Sequence, residues 1–357
     1  MCSSPSVSVT DCRAVTADRW ELELKRYRLV QGPPAQDRLP VVLCHGLACC
    51  ERFWDLTEEL SLARYMAGRG YDVWVPSLRG SGLSTKPPLY VLRELFQYRR
   101  PALGRCFPGA ARPGSFDWNF DDHVLRDLPA IIDVVKGETG HSRVVWVGHS
   151  MGAMAMYGYL ERSGRDDVAA LVASAGPIHL EPPADWSTRL ALRCRAVVRF
   201  GRALLNAQFF AGVGVLTAHL PYEGLRCNRR NVDSHVMRRA YRHVIQDVPP
   251  GLLKQFLAFA VTCKLTSVDG EFDYTAEIGR LKVPILCLVG KVDRICVPAA
   301  LRYAYDHTGS DDRTWREIGV QEGFSADYGH LDLILGRNAR REIYPIIAEW
   351  IARHDRP

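Results

Sequence analysis

Apolar and polar residues alternate along Trp20-Glu21-Leu22-Glu23-Leu24-Lys25-Arg26-Tyr27, the period of a strand with one buried face and an exposed edge. Residues 1–18, ahead of it, are polar and predict no regular element. Pro40–Leu47 is a short apolar run containing Gly46, which suits a buried parallel strand that stops at a functional loop. Leu62, Tyr65 and Met66 give Leu60–Arg69 a helical spacing that stops at Gly70. Tyr71–Pro76 predicts the next strand and runs into the glycine-rich Arg79–Ser84. Residues 86–116 hold five prolines and six basic residues against one acid, and predict an irregular excursion. Phe120–Val135 follows as a helix with Leu125, Leu128, Ile131, Ile132 and Val135 on one side. Val144–His149 is a buried strand, followed by a turn, a helix to about Arg162 and a strand at Val168–Ala175.

Over residues 178–280 the strand–helix alternation stops. Asp185–Arg202, Arg229–Gln246 and Gly251–Cys263 are helical, and no central strand is legible. The alternation resumes with a strand at Val283–Gly290, a helix at Pro298–His307, a strand at Thr314–Val320 and a helix at Ala339–Arg353. The pattern predicts an α/β fold with a mostly parallel sheet covered by helices on both faces. Ligands of such sheets bind at the carboxyl ends of the strands. The expected division is a core over 1–177, an inserted helical cap over 178–280 that roofs the site, and the rest of the core over 281–357.

Composition changes this picture little: 47% apolar and 24% charged residues are ordinary for a globular protein. The net charge of +6 does not by itself argue for nucleic acid. Its distribution is more informative, because residues 185–244 carry eleven arginines, no lysine and three acids. The ordinary reading is a solvated helix face over an apolar one. The sharper reading is a cap that docks peripherally on anionic membrane surfaces. The eleven cysteines are odd in number and contain no C-x-x-C pair, so they are expected to be reduced, mostly buried thiols. Met1–Val7 has neither a basic region nor an apolar run, so no secretory signal is read there and a cytoplasmic location is expected. The nearest approach to a membrane span, Ala203–Tyr222, is broken by Asn206, Gln208 and His219.

The chemistry centres on Gly148-His149-Ser150-Met151-Gly152. G-x-S-x-G between a buried strand and a helix holds a serine on a sharp turn with its hydroxyl projecting from the sheet. Serine needs a base, and the base a carboxylate to orient it, in the chain order Ser…Asp/Glu…His. His330, in Tyr328-Gly329-His330-Leu331-Asp332, is the expected base; the only later histidine is His354, near the end of the chain. Asp293, just past the glycine that ends a buried strand, is the expected orienting acid, with Asp327 as the rival. The peptide N–H groups of Leu47 and Met151 are the expected oxyanion donors. His45 and His149 are expected to be structural. Asp117, Asp121, Asp122 and His123 are read as helix capping and dipole compensation rather than a metal site. Arg79-Gly80-Ser81-Gly82 lacks the lysine and spacing of a phosphate loop.

Taken together, His45-Gly46-Leu47, Tyr71–Trp74, Arg79-Gly80, Phe120–Ile132 with Asp127-Leu128-Pro129-Ala130, Gly148–Gly152 and Gly329–Asp332 resemble the α/β-hydrolase superfamily. Within it they are most similar to the acid-lipase-like group of serine esterases and lipases. The resemblance covers about residues 20–177 and 281–352; the stretch 178–280 matches no cap of that group. It implies an eight-stranded, mostly parallel sheet, a Ser150–Asp293–His330 triad, and hydrolysis of carboxylic esters of apolar acyl groups through an acyl-enzyme without a cofactor. Thioester hydrolysis and acyl transfer to an alcohol use the same geometry and stay open, as does a non-catalytic binding protein on this fold. Dehalogenase and epoxide hydrolase chemistry needs a carboxylate where Ser150 stands. The expected partner is a small-molecule or lipid ester; neither the natural substrate nor the oligomeric state is legible.

Overall fold

The computed structural model describes residues 6–30, 37–86, 117–180, 207, 211, 214–215 and 223–356. The excursion read over 86–116 and the helix read at Asp185–Arg202 lie, apart from Lys86, outside the described residues, as does most of the Ala203–Tyr222 run.

One eight-stranded sheet organises the chain, in the order β1-β2-β4-β3-β5-β6-β7-β8. The strands are β1 Val7–Val15, β2 Glu21–Leu29, β3 Val41–Cys44, β4 Val73–Pro76, β5 Val144–His149, β6 Val168–Ser174, β7 Ile285–Gly290 and β8 Arg313–Ile318, with helix α1, Leu62–Ala67, between β3 and β4. β1 and β2 form an antiparallel hairpin, β2 is antiparallel to β4, and all the remaining pairs are parallel. Strands β3, β4, β5 and β7 are buried at every position, as two-sided helical cover requires.

Two expectations need correction. The described part of the chain before Trp20 contains a strand: Val7–Val15 pairs residue for residue with β2, and it, not β2, forms the edge. Only Ala14 of β1 is buried, so backbone hydrogen bonds rather than apolar pattern make it a strand. The helix at 120–135 is not regular either. A short turn, Phe120–Asp122, leads into a π-helical segment at His123–Asp127 and then into helix α2, Leu128–Thr139. Pro129 is the physical reason: it has no N–H for the Leu125 carbonyl, and its ring crowds that carbonyl. The wider turn swings Leu125, expected in the core, out to 46% exposure.

Helix α3, Met151–Arg162, leaves β5 and is buried along nearly its whole length. Its last turn buries Glu161 with both carboxylate oxygens unpartnered. Burial, with Glu277 adding to it, pushes this carboxyl up to about 9 from its ordinary value of 4.5. The folded chain therefore binds a proton that the unfolded chain has released, and stability falls as pH rises between those two values. Glu161→Gln removes that slope. It is expected to raise the melting temperature at pH ~8 by several degrees and to change it little at pH ~5. An equal shift at both values in scanning calorimetry refutes this.

Between β6 and β7 the described residues include helices α4, Ser234–His243, and α5, Pro250–Thr262. This stretch holds the loop after β3, since Gln246 N–H donates to Ala48 O at 2.9 Å and Cys50 Sγ to His243 O at 3.2 Å. It also holds the loop of His330, where Leu331 N–H donates to Arg226 O at 2.8 Å. Helices α6, Pro298–His307, and α7, Ala339–Ile351, complete the core. The eight described cysteines are free thiols, including the adjacent Cys49 and Cys50. Among the described residues no helix is long and apolar enough to cross a membrane.

Candidate active site

Parallel pairing sets the site's location. Cys44 of β3 lies beside Gly148 of β5, His149 beside Ser174 of β6, and Ser174 beside Leu288 of β7. The residues that follow these positions therefore gather at one edge of the sheet, the carboxyl edge.

Ser150 sits there in a strained conformation, φ 53° and ψ −122°, with its N–H donating to Ser174 O at 2.8 Å. The strain follows from packing helix and strand closely. A Cβ on Gly148 would lie 2.4 Å from Ala153 N, and one on Gly152 would lie 2.5 Å from Cys44 O. Both approaches are too close for any side chain, so the two glycines let α3 descend onto β3 and β5 while Ser150 takes up the bend. Ser150 occupies the helix cap position, where a serine's hydroxyl oxygen ordinarily accepts from an N–H of the first turn. Here it makes no capping bond, which leaves the hydroxyl uncommitted.

His330 and Asp293 meet across the same edge. His330 Nδ1 donates to Asp293 Oδ2 at 2.8 Å, and the two residues are 4% and 3% exposed. The other oxygen, Asp293 Oδ1, accepts from Ile295 N–H at 2.8 Å and Cys296 N–H at 2.9 Å, which locks the carboxylate's orientation. The rival Asp327 is occupied elsewhere: its Oδ1 accepts from Val320 N–H at 2.9 Å and closes its own loop. His354 contacts Trp350 O and Asp312 in the C-terminal helix region. Asp332 has a role that spacing did not show. It accepts from Gly329 N–H at 2.9 Å and Asn231 Nδ2 at 3.0 Å, pinning the turn that presents His330.

No hydrogen bond joins Ser150 to His330 in this structure. Such bonds are often long in unliganded sites and tighten with substrate. The His149 ring fills the space beside them, stacked on Phe53 at 4.7 Å and tilted against His330 at 4.7 Å. Burial, reinforced by His330, holds His149 well below the usual imidazole range, so it packs as a neutral ring. His45 is neutral too, lowered to about 4 by burial. Its Nδ1 donates to Gly46 O at 2.9 Å and its Nε2 accepts from Leu78 N–H at 3.1 Å, so it ties the loop after β3 to the loop after β4.

The N–H groups of Leu47 and Met151 have no hydrogen-bond partner among the described residues. Gly46 brings their two loops together; a Cβ there would lie 2.9 Å from Ser150 Cβ. Met151 opens α3, where the helix dipole adds to the field at a developing anion. A small cavity of about 20 Å³ lies beside both residues and is otherwise walled largely by Trp118, Val248, Leu252 and the loop after β4.

The residues weighed as a metal cluster are spread over other tasks. Asn119 and Asp122 form a capping box, Asp121 accepts from the Tyr274 hydroxyl, and Asp117 Oδ1 accepts from Gly251 N–H at 2.6 Å. Sequence reading missed the buried network behind them. Arg79 Nε donates to Asp127 Oδ1 at 2.8 Å, its Nη1 to Asp18 Oδ2 at 2.8 Å, and His123 Nδ1 to Asp127 Oδ2 at 2.7 Å. Burial opposes ionisation of Asp127, but Arg79 and His123 outweigh it and hold the carboxyl below its usual range. The only signal in the sequence was Asp127 itself, a charge on the apolar face of a helix.

The family model described as serine aminopeptidase, S33, matches residues 35–319. Lipase lipl-3 of Caenorhabditis elegans is 30% identical over 153 residues, which are 41% of this chain and 33% of that protein. Triacylglycerol lipase 1 of Arabidopsis thaliana is 23% identical over 372 residues, covering 94% of this chain and 85% of that protein. The chain thus covers about a third of the first relative's length and most of the second's. A thermophilic esterase from Thermogutta terrifontis shares the fold, with a TM-score of 0.58 at 19% identity over 97% of this chain and 99% of that one. A monoacylglycerol lipase from Paleococcus ferrophilus does so with a TM-score of 0.53 at 18% identity over 98% and 100%.

Proposed function

The chain belongs to the serine aminopeptidase S33 family and has the α/β-hydrolase fold, and from that premise we propose that it hydrolyses carboxylic esters of apolar acyl groups. Ser150 Oγ attacks the ester carbonyl while His330 Nε2 takes its proton. Asp293 keeps the Nδ1–H tautomer of His330 and stabilises the imidazolium. The Leu47 and Met151 N–H groups receive the oxyanion, each contributing on the order of 3 kcal/mol at the transition state. His330 returns its proton to the leaving alcohol. Water then repeats the sequence on the acyl-enzyme, freeing the acid and restoring Ser150.

One observation carries this reading: a buried, oriented histidine–carboxylate pair at the same sheet edge as a strained serine with an uncommitted hydroxyl. The lipase names of the relatives favour esters over other acyl compounds. The test is labelling by a fluorophosphonate probe. Wild type is expected to label and Ser150→Ala not to; a folded wild type that takes no label overturns the proposal.

Residues 178–280 are proposed to be the cap over this site, docking at anionic membrane surfaces. Arg230, Arg238 and Arg242, all exposed, support that reading. Co-sedimentation with vesicles containing acidic lipid at low salt is expected, with release as salt rises. Equal recovery with purely zwitterionic vesicles refutes it.

A further inference from the structure

His123 lines the pocket beside Leu47 and Met151, is 2% exposed, and is not needed by the chemistry described above. Its Nδ1 lies 2.7 Å from Asp127 Oδ2. A carboxylate only accepts, so Nδ1 carries the hydrogen. Nε2 of the neutral ring, on the edge away from Asp127, is then a lone-pair acceptor. Nε2 is buried and has no partner among the described residues. An orphaned buried acceptor is destabilising, so its presence in a pocket points to an incoming donor.

We infer that His123 is a substrate-positioning residue whose Nε2 accepts a hydrogen bond from a hydroxyl carried by the ester. The inference rests on the ester-hydrolase reading of the same site. The π-helical segment makes the placement possible: it turns His123 and Asp127 inward together, while Leu125 between them faces out. Trp118, Val248 and Leu252 also line the pocket and make part of its wall apolar. A hydroxyl entering there satisfies Nε2, whereas a methyl group of the same size leaves it unpartnered. The pocket adjoins both proposed oxyanion donors, so the hydroxyl stands a few bonds from the scissile carbonyl, on either the alcohol or the acyl portion.

Two matched pairs of esters, each exchanging hydroxyl for methyl, distinguish the portions. Ethylene glycol monobutanoate against propyl butanoate tests the alcohol side, and ethyl β-hydroxybutanoate against ethyl isovalerate tests the acyl side. Wild type is expected to prefer the hydroxyl member of one pair by about 10–100-fold in kcat/KM, expressed chiefly in KM. His123→Leu is expected to abolish that preference, kcat/KM for the hydroxyl member falling to that of the methyl member. His123→Gln, whose amide oxygen still accepts, is expected to retain part of it. A wild type that cleaves both members of both pairs equally overturns the inference and leaves the ester-hydrolase reading standing, and needs no variant to fold. A folded His123→Leu that keeps the full preference also overturns it. A wild type that cleaves none of the four esters and takes no fluorophosphonate label overturns both readings.

Discussion

Asp293→Asn is expected to lower kcat for ester hydrolysis by about ten-thousand-fold with little loss of stability. The reason lies in the other half of the carboxylate. Oδ1 accepts from the Ile295 and Cys296 N–H groups at 2.8 and 2.9 Å. An asparagine must keep its oxygen on that side, because its NH2 would face two donors there. The amide nitrogen is therefore forced toward His330 Nδ1, at the 2.8 Å position that Oδ2 now holds. Facing a donor, Nδ1 must accept, and the ring's hydrogen moves to Nε2. That tautomer has no lone pair for the Ser150 proton. Steady-state kinetics on a nitrophenyl ester, with the melting temperature as a control for folding, is the measurement. A folded variant that loses less than ten-fold shows that Asp293 does not set the tautomer. Asp327→Asn, by contrast, is expected to leave kcat nearly unchanged, since its carboxylate closes a separate loop.

Arg79→Met is expected to destabilise the fold by about 3–5 kcal/mol, the largest effect on stability among these substitutions. Asp127 has no exposed side-chain surface, and Arg79 is 1% exposed by its side chain. Removing the guanidinium leaves a buried carboxylate with His123 as its remaining side-chain partner. It also severs Asp18, which joins the β1–β2 turn to the loop after β4 through Arg79. The double variant Arg79→Met, Asp127→Asn is expected to recover part of the loss, because the uncompensated charge is then gone. Denaturant unfolding of the two single variants and the double variant gives the coupling. A loss under 1 kcal/mol for Arg79→Met, or no coupling, contradicts the assignment. Asp127 titrates below its ordinary value, so the pair's contribution is complete above pH ~4 and is lost as pH falls through the depressed pKa.

The chain's alternation of strands and helices was legible because buried parallel strands are continuous apolar runs, and β3, β4, β5 and β7 are such runs. β1 was not legible, for the opposite reason. An edge strand of mixed polarity is recognisable only through its partner, and Val7–Val15 is held by β2 rather than by a core. The π-helical turn was missed because helical spacing assumes one period throughout, whereas Pro129 imposes a local departure. Asp332 and Asn231, which brace the His330 turn, lie 101 residues apart, and no pattern links them.

The sequence alone determined the serine turn and the chain order of the serine, carboxylate and histidine that the proposal uses. Gly148, Ser150 and Gly152 specify a strand-to-helix bend by sterics that act within five residues, and apolar run lengths specify the strands that flank it. Tertiary structure decided the pairings. It set Asp293 rather than Asp327 against His330, 37 residues away, through the register of β7 and the loop that follows it. It also buried Arg79 against Asp127 and turned His123 toward the pocket, because a side chain's partner across the sheet depends on which strands lie side by side. Local sterics and periodicity are written in neighbouring residues, while a hydrogen bond between distant loops exists only once the sheet has brought their ends together.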